Sequence, residues 1–386
     1  MKKILEGSHA IAEAVRLVKP EVISAYPITP QTHIVERLAE MVADGDLDSE
    51  YICVESEFSA LSACLGASAA GSRVYSATSS QGLLFMAEVC FNVAGMRQPV
   101  VMSIANRAGS APLSIWNYQQ DSICLRDSGW IQLYAEDVQE TLDLHLIAYR
   151  VAEDHKVLLP VFVCFDCFII SHTYEPVDIP DEKDVNAYLP AYVPVNKLDA
   201  DDPISMGMYA TPEYYMEFRY ENDQAMTRSL DVLKQAGKEF KDLFGRDYSE
   251  LIEEYRLSDA KIAIIAMGSV CGTIKDAIDV MRAQGREVGL LKIRAYRPFP
   301  AEDIKKALSG IKKIGVLEKN ISLGSRMKGA VGLEIKDALD DSSVSVLSYV
   351  AGLGGRDIRI EDVIKMTDAI EAGNGDCFFG LREELI

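Results

Sequence analysis

Short apolar runs alternate with amphipathic stretches along residues 1–175, and this alternation constrains the fold more than any other feature of the chain. The apolar runs are typical of buried strands and lie at 22–28, 51–55, 73–79, 99–105 and 159–166. Segments with helical spacing lie at 32–43, 58–70, 82–95 and 138–154. Strands that alternate with helices predict a parallel sheet covered on both faces, which is a doubly wound α/β fold.

The alternation divides the chain into three predicted parts. Residues 1–175 form the first α/β domain, whose opening residues have the spacing of an amphipathic helix. Residues 176–255 are rich in Pro and Asp before a helical stretch at 223–245. We interpret them as an extended arm and helical linker that contacts another subunit, and a passive linker fits equally well. Residues 256–386 resume the alternation, with strands at 261–269, 287–296 and 313–320, and form a second, smaller α/β domain.

Composition narrows the class of protein. The formal net charge of -20 disfavours nucleic acid and anionic membranes as partners. No apolar stretch approaches the ~20 residues of a membrane span, and the first residues lack the core of a signal peptide, so we expect a cytoplasmic protein. Most of the eight cysteines lie in apolar runs, as buried thiols do. The chain has one C-x-x-C pair and lacks the run of four closely spaced cysteines that holds an iron–sulfur cluster. We therefore predict no metal site in this chain.

Two loops that follow predicted strands carry side chains suited to a ligand. In YPITP (26–30), two prolines make the backbone rigid around the hydroxyl of Thr29. In VESEF (54–58), Glu55 and Glu57 precede a helix of small residues. Ligands of open α/β sheets bind at the carboxyl ends of the strands. The same residues also have an explanation without a ligand. Thr29 would cap a turn, and the two acids would be favoured by the dipole at the start of the helix.

Further strand-end loops extend this pattern. Ser80 and Gln81, in SATSSQGLLFM, precede a helix whose free N–H groups suit an anion or a polar ring. Arg107 follows an apolar strand, and its guanidinium suits a substrate carboxylate, although a solvated loop arginine is the alternative. MGS (267–269) and GLGGRD (352–357) are glycine loops of the smaller domain, and neither fits the G-x-G-x-x-G pattern of a dinucleotide site.

Taken in order, several motifs resemble the alpha subunit of the 2-oxoacid:ferredoxin oxidoreductases over nearly the whole chain. They are YPITP, ESEFSA, SATSSQGLLFM, NRAGSAPLSIWN, FDCFIISHT and YRPFP. The loop NRAGSAPLSIWN is similar to the pyruvate branch, and the branched-chain 2-oxoacid branch is the close alternative. The resemblance implies a pyrimidine-type thiamine diphosphate-binding domain followed by a transketolase C-terminal-like domain. It also implies reversible, coenzyme A-dependent oxidation of pyruvate to acetyl-CoA and CO2, with electrons passed to ferredoxin.

The resemblance implies a role for each strand-end residue. Glu57 matches the glutamate that bonds the aminopyrimidine ring of thiamine diphosphate. Thr29 matches the hydroxyl that contacts the substrate, and Arg107 matches the cation that holds the substrate carboxylate. Ser80 and Gln81 are expected to line the pyrimidine pocket. No catalytic role is expected for Glu55, because the family acid lies directly before the small-residue helix.

The resemblance also implies partners, since the chain lacks the Gly-Asp-Gly signature of diphosphate binding. A beta subunit would supply the Mg2+ and diphosphate half of the cofactor site. Gamma- and delta-type ferredoxin-like subunits would carry 4Fe-4S clusters. Residues 267–269 and 352–357 would lie near the path of coenzyme A. Two other hypotheses are a thiamine enzyme with another electron acceptor and a nucleotide-binding regulatory or assembly protein.

Overall fold

A computed structural model describes residues 1–386, and most of the larger sheet is built from the first half of the chain. Its elements are, in chain order, β1 (Lys2–Glu6), α1 (Gly7–Val18), β2 (Val22–Ala25), α2 (Thr32–Asp44), β3 (Glu50–Cys53), α3 (Glu57–Ala69), β4 (Val74–Thr78), α4 (Ser80–Phe85), α5 (Ala87–Gly95), β5 (Val101–Asn106), α6 (Gln120–Ile123), β6 (Ile131–Tyr134), α7 (Val138–Ala152), β7 (Val161–Asp166) and β8 (Tyr174–Asp178).

The second half of the chain contains the long helix and the smaller sheet. Its elements are α8 (Glu182–Tyr188), α9 (Tyr215–Phe244), β9 (Ile252–Tyr255), β10 (Ile262–Ala266), α10 (Val270–Ala283), β11 (Val288–Ile293), β12 (Ala295–Arg297), α11 (Ala301–Ala307), β13 (Lys313–Glu318), α12 (Ala330–Leu339), β14 (Ser345–Val350), α13 (Ile360–Ala372) and β15 (Cys377–Phe378), with short 3-10 turns at Leu353–Gly355 and Glu383–Leu385.

Two largely parallel sheets confirm the predicted α/β class. The seven-stranded sheet has the order β12-β6-β7-β5-β4-β2-β3, and only its edge strand β12 is antiparallel to its neighbour. The six-stranded sheet has the order β15-β14-β13-β10-β11-β9, with β9 as the antiparallel edge. Strands β4, β5 and β7 are buried along their whole length, because helices cover both faces of the larger sheet. No helix is both long and apolar enough to cross a membrane.

The two sheets are tied together by the chain and by a buried ionic network. Strand β12 leaves the smaller part of the molecule to pair with β6 of the larger sheet. Beside it, Glu140 accepts hydrogen bonds from Lys292 at 2.8 Å and from Arg294 at 2.7 Å. Burial disfavours the charge on Glu140, but these two cations outweigh it and lower the pKa of the carboxyl to about 2. The network therefore stays ionised and fixes α7 against β11.

Three elements differ from those predicted from the sequence. The chain begins with strand β1 rather than with a helix, because residues 2–6 pair with β8, far along the chain. The helix predicted at 82–95 is divided at Met86 into α4 and α5. The strand predicted at 287–296 is divided at Arg294, where the chain passes from the smaller sheet to the larger one. The first and third differences arise from pairing with strands far along the chain, which local pattern does not report.

Candidate active site

The strand-end residues singled out in the sequence lie along one edge of the larger sheet. Thr29 follows β2, Glu57 follows β3, Ser80 follows β4 and Arg107 follows β5. These four strands are neighbours in the order β5-β4-β2-β3, and they are parallel, so their carboxyl ends meet at the same edge. Residues 78 positions apart in sequence are consequently in direct contact, as the hydrogen bond from Arg107 to Thr29 shows.

Glu57 presents a carboxylate with no partner in the chain. It is the first residue of α3, and Ser56 caps that helix by accepting the N–H of Ser59 at 3.3 Å. Its side chain is 9% exposed, and no hydrogen bond from the chain reaches its carboxylate oxygens. A Cβ added to Gly82 would lie 2.7 Å from Oε1 of Glu57, so a larger residue at position 82 would displace this carboxylate. The oxygens remain available to a ligand.

Glu55 differs from Glu57 in each of these respects. It is exposed to solvent, and its carboxylate accepts a hydrogen bond from the hydroxyl of Ser59. That hydrogen bond lowers the pKa of the Glu55 carboxyl. Glu55 thus lies just before the N-cap residue of α3, and its carboxylate is already engaged by the first turn of that helix.

Arg107 is a buried cation without an acidic partner at hydrogen-bonding distance from its guanidinium. It donates from Nη1 to the carbonyl oxygen of Thr29 at 2.7 Å and from Nη2 to Oε1 of Gln81 at 3.0 Å. Its side chain forms no ion pair, and its Nε is buried without a hydrogen-bond partner. Burial lowers the pKa of this guanidinium, as expected for a desolvated positive charge. An anion would relieve that cost.

Ser80 and Gln81 organise the loop between these groups. Ser80 is buried with a φ of 50°, and its hydroxyl donates to the carbonyl oxygen of Ala108 at 2.6 Å. Gln81 accepts from Arg107 and donates from Nε2 to the hydroxyl of Ser110 at 2.5 Å. In this chain, Gln81 therefore orients the guanidinium of Arg107, and the expectation that both residues line a pyrimidine pocket stays a prediction.

Asp121 joins two of these loops, and the sequence reasoning missed it. One oxygen of its buried carboxylate accepts the backbone N–H groups of Ser80 and Arg107, both at 3.0 Å. The other accepts from Nδ2 of Asn106 at 2.8 Å. Burial outweighs these hydrogen bonds and raises the pKa of the carboxyl to about 6. Its only sequence signal is an acid at the start of the four-residue helix α6, which is a weak signal.

Asp166, at the end of β7, was also missed, and it connects the sheet edge to the smaller domain. Its carboxylate accepts from Nδ2 of Asn117 at 2.8 Å, from the N–H of Ser269 at 3.0 Å and from Nζ of Lys319 at 3.0 Å. Burial raises the pKa of Asp166, but the charge of Lys319 and the hydrogen bonds outweigh it and lower the pKa. The loop MGS, at 267–269, is thus an interdomain contact.

The loop GLGGRD lines a large open cleft. The cleft has a volume of about 870 Å³, and its wall includes four basic side chains, of Arg356, Arg359, Lys365 and Arg382, and three acidic ones. The backbone N–H of Gly355 donates to the carbonyl oxygen of Asn117 at 2.9 Å, so the loop packs against the segment that follows Arg107.

The five main cavities do not have Glu57, Thr29 or Arg107 in their walls. Glu57 and Arg107 are buried without ionic partners, which makes the sheet edge a candidate site. Volume alone would instead favour the cleft beside residues 352–356. The sheet edge carries a carboxylate without a partner and a buried cation without an ion pair, and a site on an open face need not form a cavity. The sheet edge is therefore the candidate active site, and the cleft is a second feature close to it.

Comparison with protein families defines the class of protein to which this fold and site belong. Residues 13–238 match the family described as "Pyruvate flavodoxin/ferredoxin oxidoreductase, thiamine diP-bdg", so the larger part of the chain is a thiamine diphosphate-binding domain. Residues 260–363 match "Pyruvate:ferredoxin oxidoreductase core domain II". The chain belongs to the pyruvate:ferredoxin oxidoreductase family, which confirms the resemblance seen in the motifs.

Full-length relatives point to a particular member of that class. The chain is 53% identical to pyruvate synthase subunit PorA of Methanothermobacter thermautotrophicus, and the match covers 99% of each chain. It is 51% identical to pyruvate synthase subunit PorA of Methanocaldococcus jannaschii, with 99% of this chain and 98% of the relative covered. Identity falls to 44% with ketoisovalerate oxidoreductase subunit VorA of Pyrococcus abyssi, with 97% and 96% covered.

Solved structures share the fold. A 2-oxoglutarate:ferredoxin oxidoreductase from Magnetococcus marinus superposes with a TM-score of 0.71 at 19% identity. The match covers 96% of this chain, which spans 65% of the length of that protein's chain. A split-gene transketolase superposes with a TM-score of 0.56 at 12% identity, with 96% and 98% covered. At these identities the likeness establishes the architecture and leaves the chemistry to the site.

Proposed function

We propose that this chain is the alpha subunit of a pyruvate:ferredoxin oxidoreductase. The enzyme oxidises pyruvate with coenzyme A to acetyl-CoA and CO2 and transfers the electrons to ferredoxin, and the reaction is reversible. The observation that carries the proposal is the pair formed by a partnerless carboxylate, Glu57, and a buried cation without an ion pair, Arg107, on one sheet edge. The higher identity to the PorA subunits, 53%, than to VorA, 44%, supports pyruvate as the substrate.

The residues at the sheet edge fit the pyrimidine half of thiamine diphosphate. Glu57 would hold the aminopyrimidine ring through a ring nitrogen, since its carboxylate has no partner in the chain and the backbone of Gly82 leaves room beside it. The carboxylate of Glu57 would favour a proton on the ring nitrogen that it contacts. When bound, the cofactor supplies the electron sink for decarboxylation.

Arg107 holds the carboxylate of pyruvate in the proposed mechanism. Its guanidinium is fixed by Thr29 and Gln81, and its Nε has no partner. A charge-assisted hydrogen bond from a preoriented cation loses little entropy when substrate binds. Thr29 is exposed in this turn, so its hydroxyl would be accessible to the substrate.

Other subunits complete the enzyme. The chain lacks Gly-Asp-Gly, so a beta subunit supplies Mg2+ and the diphosphate half of the site, and gamma- and delta-type subunits supply the 4Fe-4S clusters. The cleft beside residues 352–356 is the proposed path for coenzyme A, because its four basic side chains suit phosphate groups. Its place against Asn117, which follows Arg107 by ten positions, brings that path to the sheet edge.

A substrate panel tests this function. The complex is purified through a tag on this chain and assayed for coenzyme A-dependent reduction of a viologen dye with pyruvate, 2-oxoglutarate and 2-oxoisovalerate. We expect pyruvate to give the highest kcat/KM. A preference for 2-oxoisovalerate would move the chain to the branched-chain enzymes with its mechanism intact. An intact complex that is inactive with all three acids would contradict the proposal.

A further inference from the structure

Two histidines and a buried glutamate converge on the side of the larger domain, outside the residues assigned above. Glu6 is the last residue of β1, His33 is the second residue of α2, and His172 lies between β7 and β8. Their ligand atoms all lie within 4.8 Å of one another. The imidazole rings of His33 and His172 have centroids 4.7 Å apart, and Nδ1 of His33 lies 2.6 Å from Oε1 of Glu6.

Backbone pairing holds these side chains in place. The N–H of Gly7 donates to the carbonyl oxygen of Thr173 at 3.1 Å, and the N–H of Ser8 donates to that of Ser171 at 2.9 Å. A Cβ at Gly7 would lie 1.9 Å from the carbonyl oxygen of Ile170, so the two segments approach as closely as backbones can. The cluster is therefore built on ordered main chain.

The surroundings leave the three groups ready to act as ligands. Glu6 is 5% exposed, and His33 and His172 are half-buried. Partners outside the trio also contact it, since Tyr174 donates to Oε2 of Glu6 at 3.1 Å and Ser171 lies 2.8 Å from Nδ1 of His172. Metal ligands are commonly oriented by such contacts.

We propose that Glu6, His33 and His172 bind one divalent transition-metal ion of the zinc type. Two imidazoles and one carboxylate are a ligand set that suits Zn2+ and related ions, whereas Ca2+ and Mg2+ prefer oxygen ligands alone. The ion clips together the end of β1, the start of α2 and the β7–β8 connection. Because α2 begins close after YPITP, the bound ion also restricts the motion of the turn that carries Thr29.

Zinc binding to the full-length chain tests this site. The chain is freed of metal with a chelator, and ZnCl2 is titrated by calorimetry while the melting temperature is followed. We expect one saturable site and a rise in melting temperature with zinc, because an ion that binds only the folded state stabilises it. His33→Ala and His172→Ala should each weaken binding by at least about tenfold, the scale of losses seen around metal sites.

Matched controls separate this site from adventitious binding. His155→Ala removes an exposed histidine whose ring contacts only the carbonyl oxygen of Val193, and Cys53→Ser with Cys124→Ser removes the exposed thiols. Zinc binding should be unchanged in these variants. The Co2+ complex of the unsubstituted chain should lack a thiolate charge-transfer band, a readout that does not depend on the folding of any variant. Absence of saturable binding, a thiolate band, or binding that survives both histidine substitutions would overturn the proposal.

Discussion

Asp121 accepts the backbone N–H of Arg107 at 3.0 Å, and the same carboxylate oxygen accepts the N–H of Ser80 at 3.0 Å. One buried carboxylate thus sets the distance between the loop that follows β4 and the loop that follows β5. The proposed substrate cation is positioned by a residue that does not touch the substrate. We therefore expect a change at Asp121 to alter catalysis although its carboxylate does not contact the reacting atoms.

Asp121→Asn should lower the activity of the assembled complex. The amide cannot accept both N–H groups with the strength of a carboxylate, so the loops separate and Arg107 loses its orientation. Hydrogen bonds to charged groups contribute about 1.5–3 kcal/mol, which predicts a fall in kcat/KM for pyruvate of roughly 10- to 100-fold. The control is Asp127→Asn, since the side chain of Asp127 is 75% exposed. Equal kinetics in the two variants would show that the Asp121 carboxylate is dispensable for positioning.

Arg107→Ala should raise the KM for pyruvate and lower kcat/KM by about 2–4 kcal/mol, the scale for loss of a charge-assisted bond to substrate. Steady-state kinetics of the complex with pyruvate as the varied substrate measures both constants. Arg37→Ala is the matched control, because Arg37 forms a surface ion pair with Glu40 on α2. An Arg107→Ala complex with the KM and rate of the unsubstituted enzyme would assign this arginine to the loop alone.

Much of this site follows from local sequence, because an apolar run marks each buried strand and the polar residue after it must lie at the sheet edge. Thr29, Glu57 and Arg107 were found in that way. Asp121 and Asp166 were not, since their partners Ser80 and Ser269 lie 41 and 103 positions away and only the folded chain brings them together. The division of the strand predicted at 287–296 was not foreseen for the same reason, as β11 pairs within the smaller sheet whereas β12 pairs with β6 of the larger one.

The stability of the chain should depend on pH through Glu318. Burial raises the pKa of this carboxyl from 4.5 to about 7, against hydrogen bonds from the N–H groups of Gly332 and Val331. The folded state then binds more protons than the unfolded state between these values, so the stabilisation is present below pH 4.5 and is lost as pH rises through about 7. The contribution is roughly 3 kcal/mol.

Urea denaturation across that pH range measures the effect. Glu318→Gln resembles the protonated carboxyl, so the variant should lose less stability than the unsubstituted chain as pH rises. The difference between the two free energies of unfolding is the quantity to compare, because Asp121 and Asp137, whose pKa values burial also raises to about 6, titrate in both chains. Parallel pH profiles would exclude Glu318 as a titrating group in this range.

Glu140→Ala should destabilise the chain, because it removes the most buried carboxylate that pairs with both Lys292 and Arg294 and leaves these cations only the more exposed Glu253 and, for Lys292, Glu136. Removal of one partner from an isolated buried ion pair costs about 3–5 kcal/mol, and the remaining carboxylates place this loss toward the lower end of that range. The free energy of unfolding at neutral pH measures this loss. Glu182→Ala, which breaks an exposed pair with Lys19, is the control and should change stability little. Equal effects of the two substitutions would contradict a central role for the network.

The activity of Glu57→Gln beside that of Glu55→Gln is the decisive test of the proposed site. Both variants exchange one carboxylate for an amide, two positions apart, and only Glu57 lies at the sheet edge without a partner. Each complex is purified through a tag on this chain, checked for its full set of subunits and assayed for coenzyme A-dependent dye reduction with pyruvate. We predict that Glu57→Gln abolishes turnover in an intact complex and that Glu55→Gln retains it. Unchanged turnover in Glu57→Gln would contradict the proposed site.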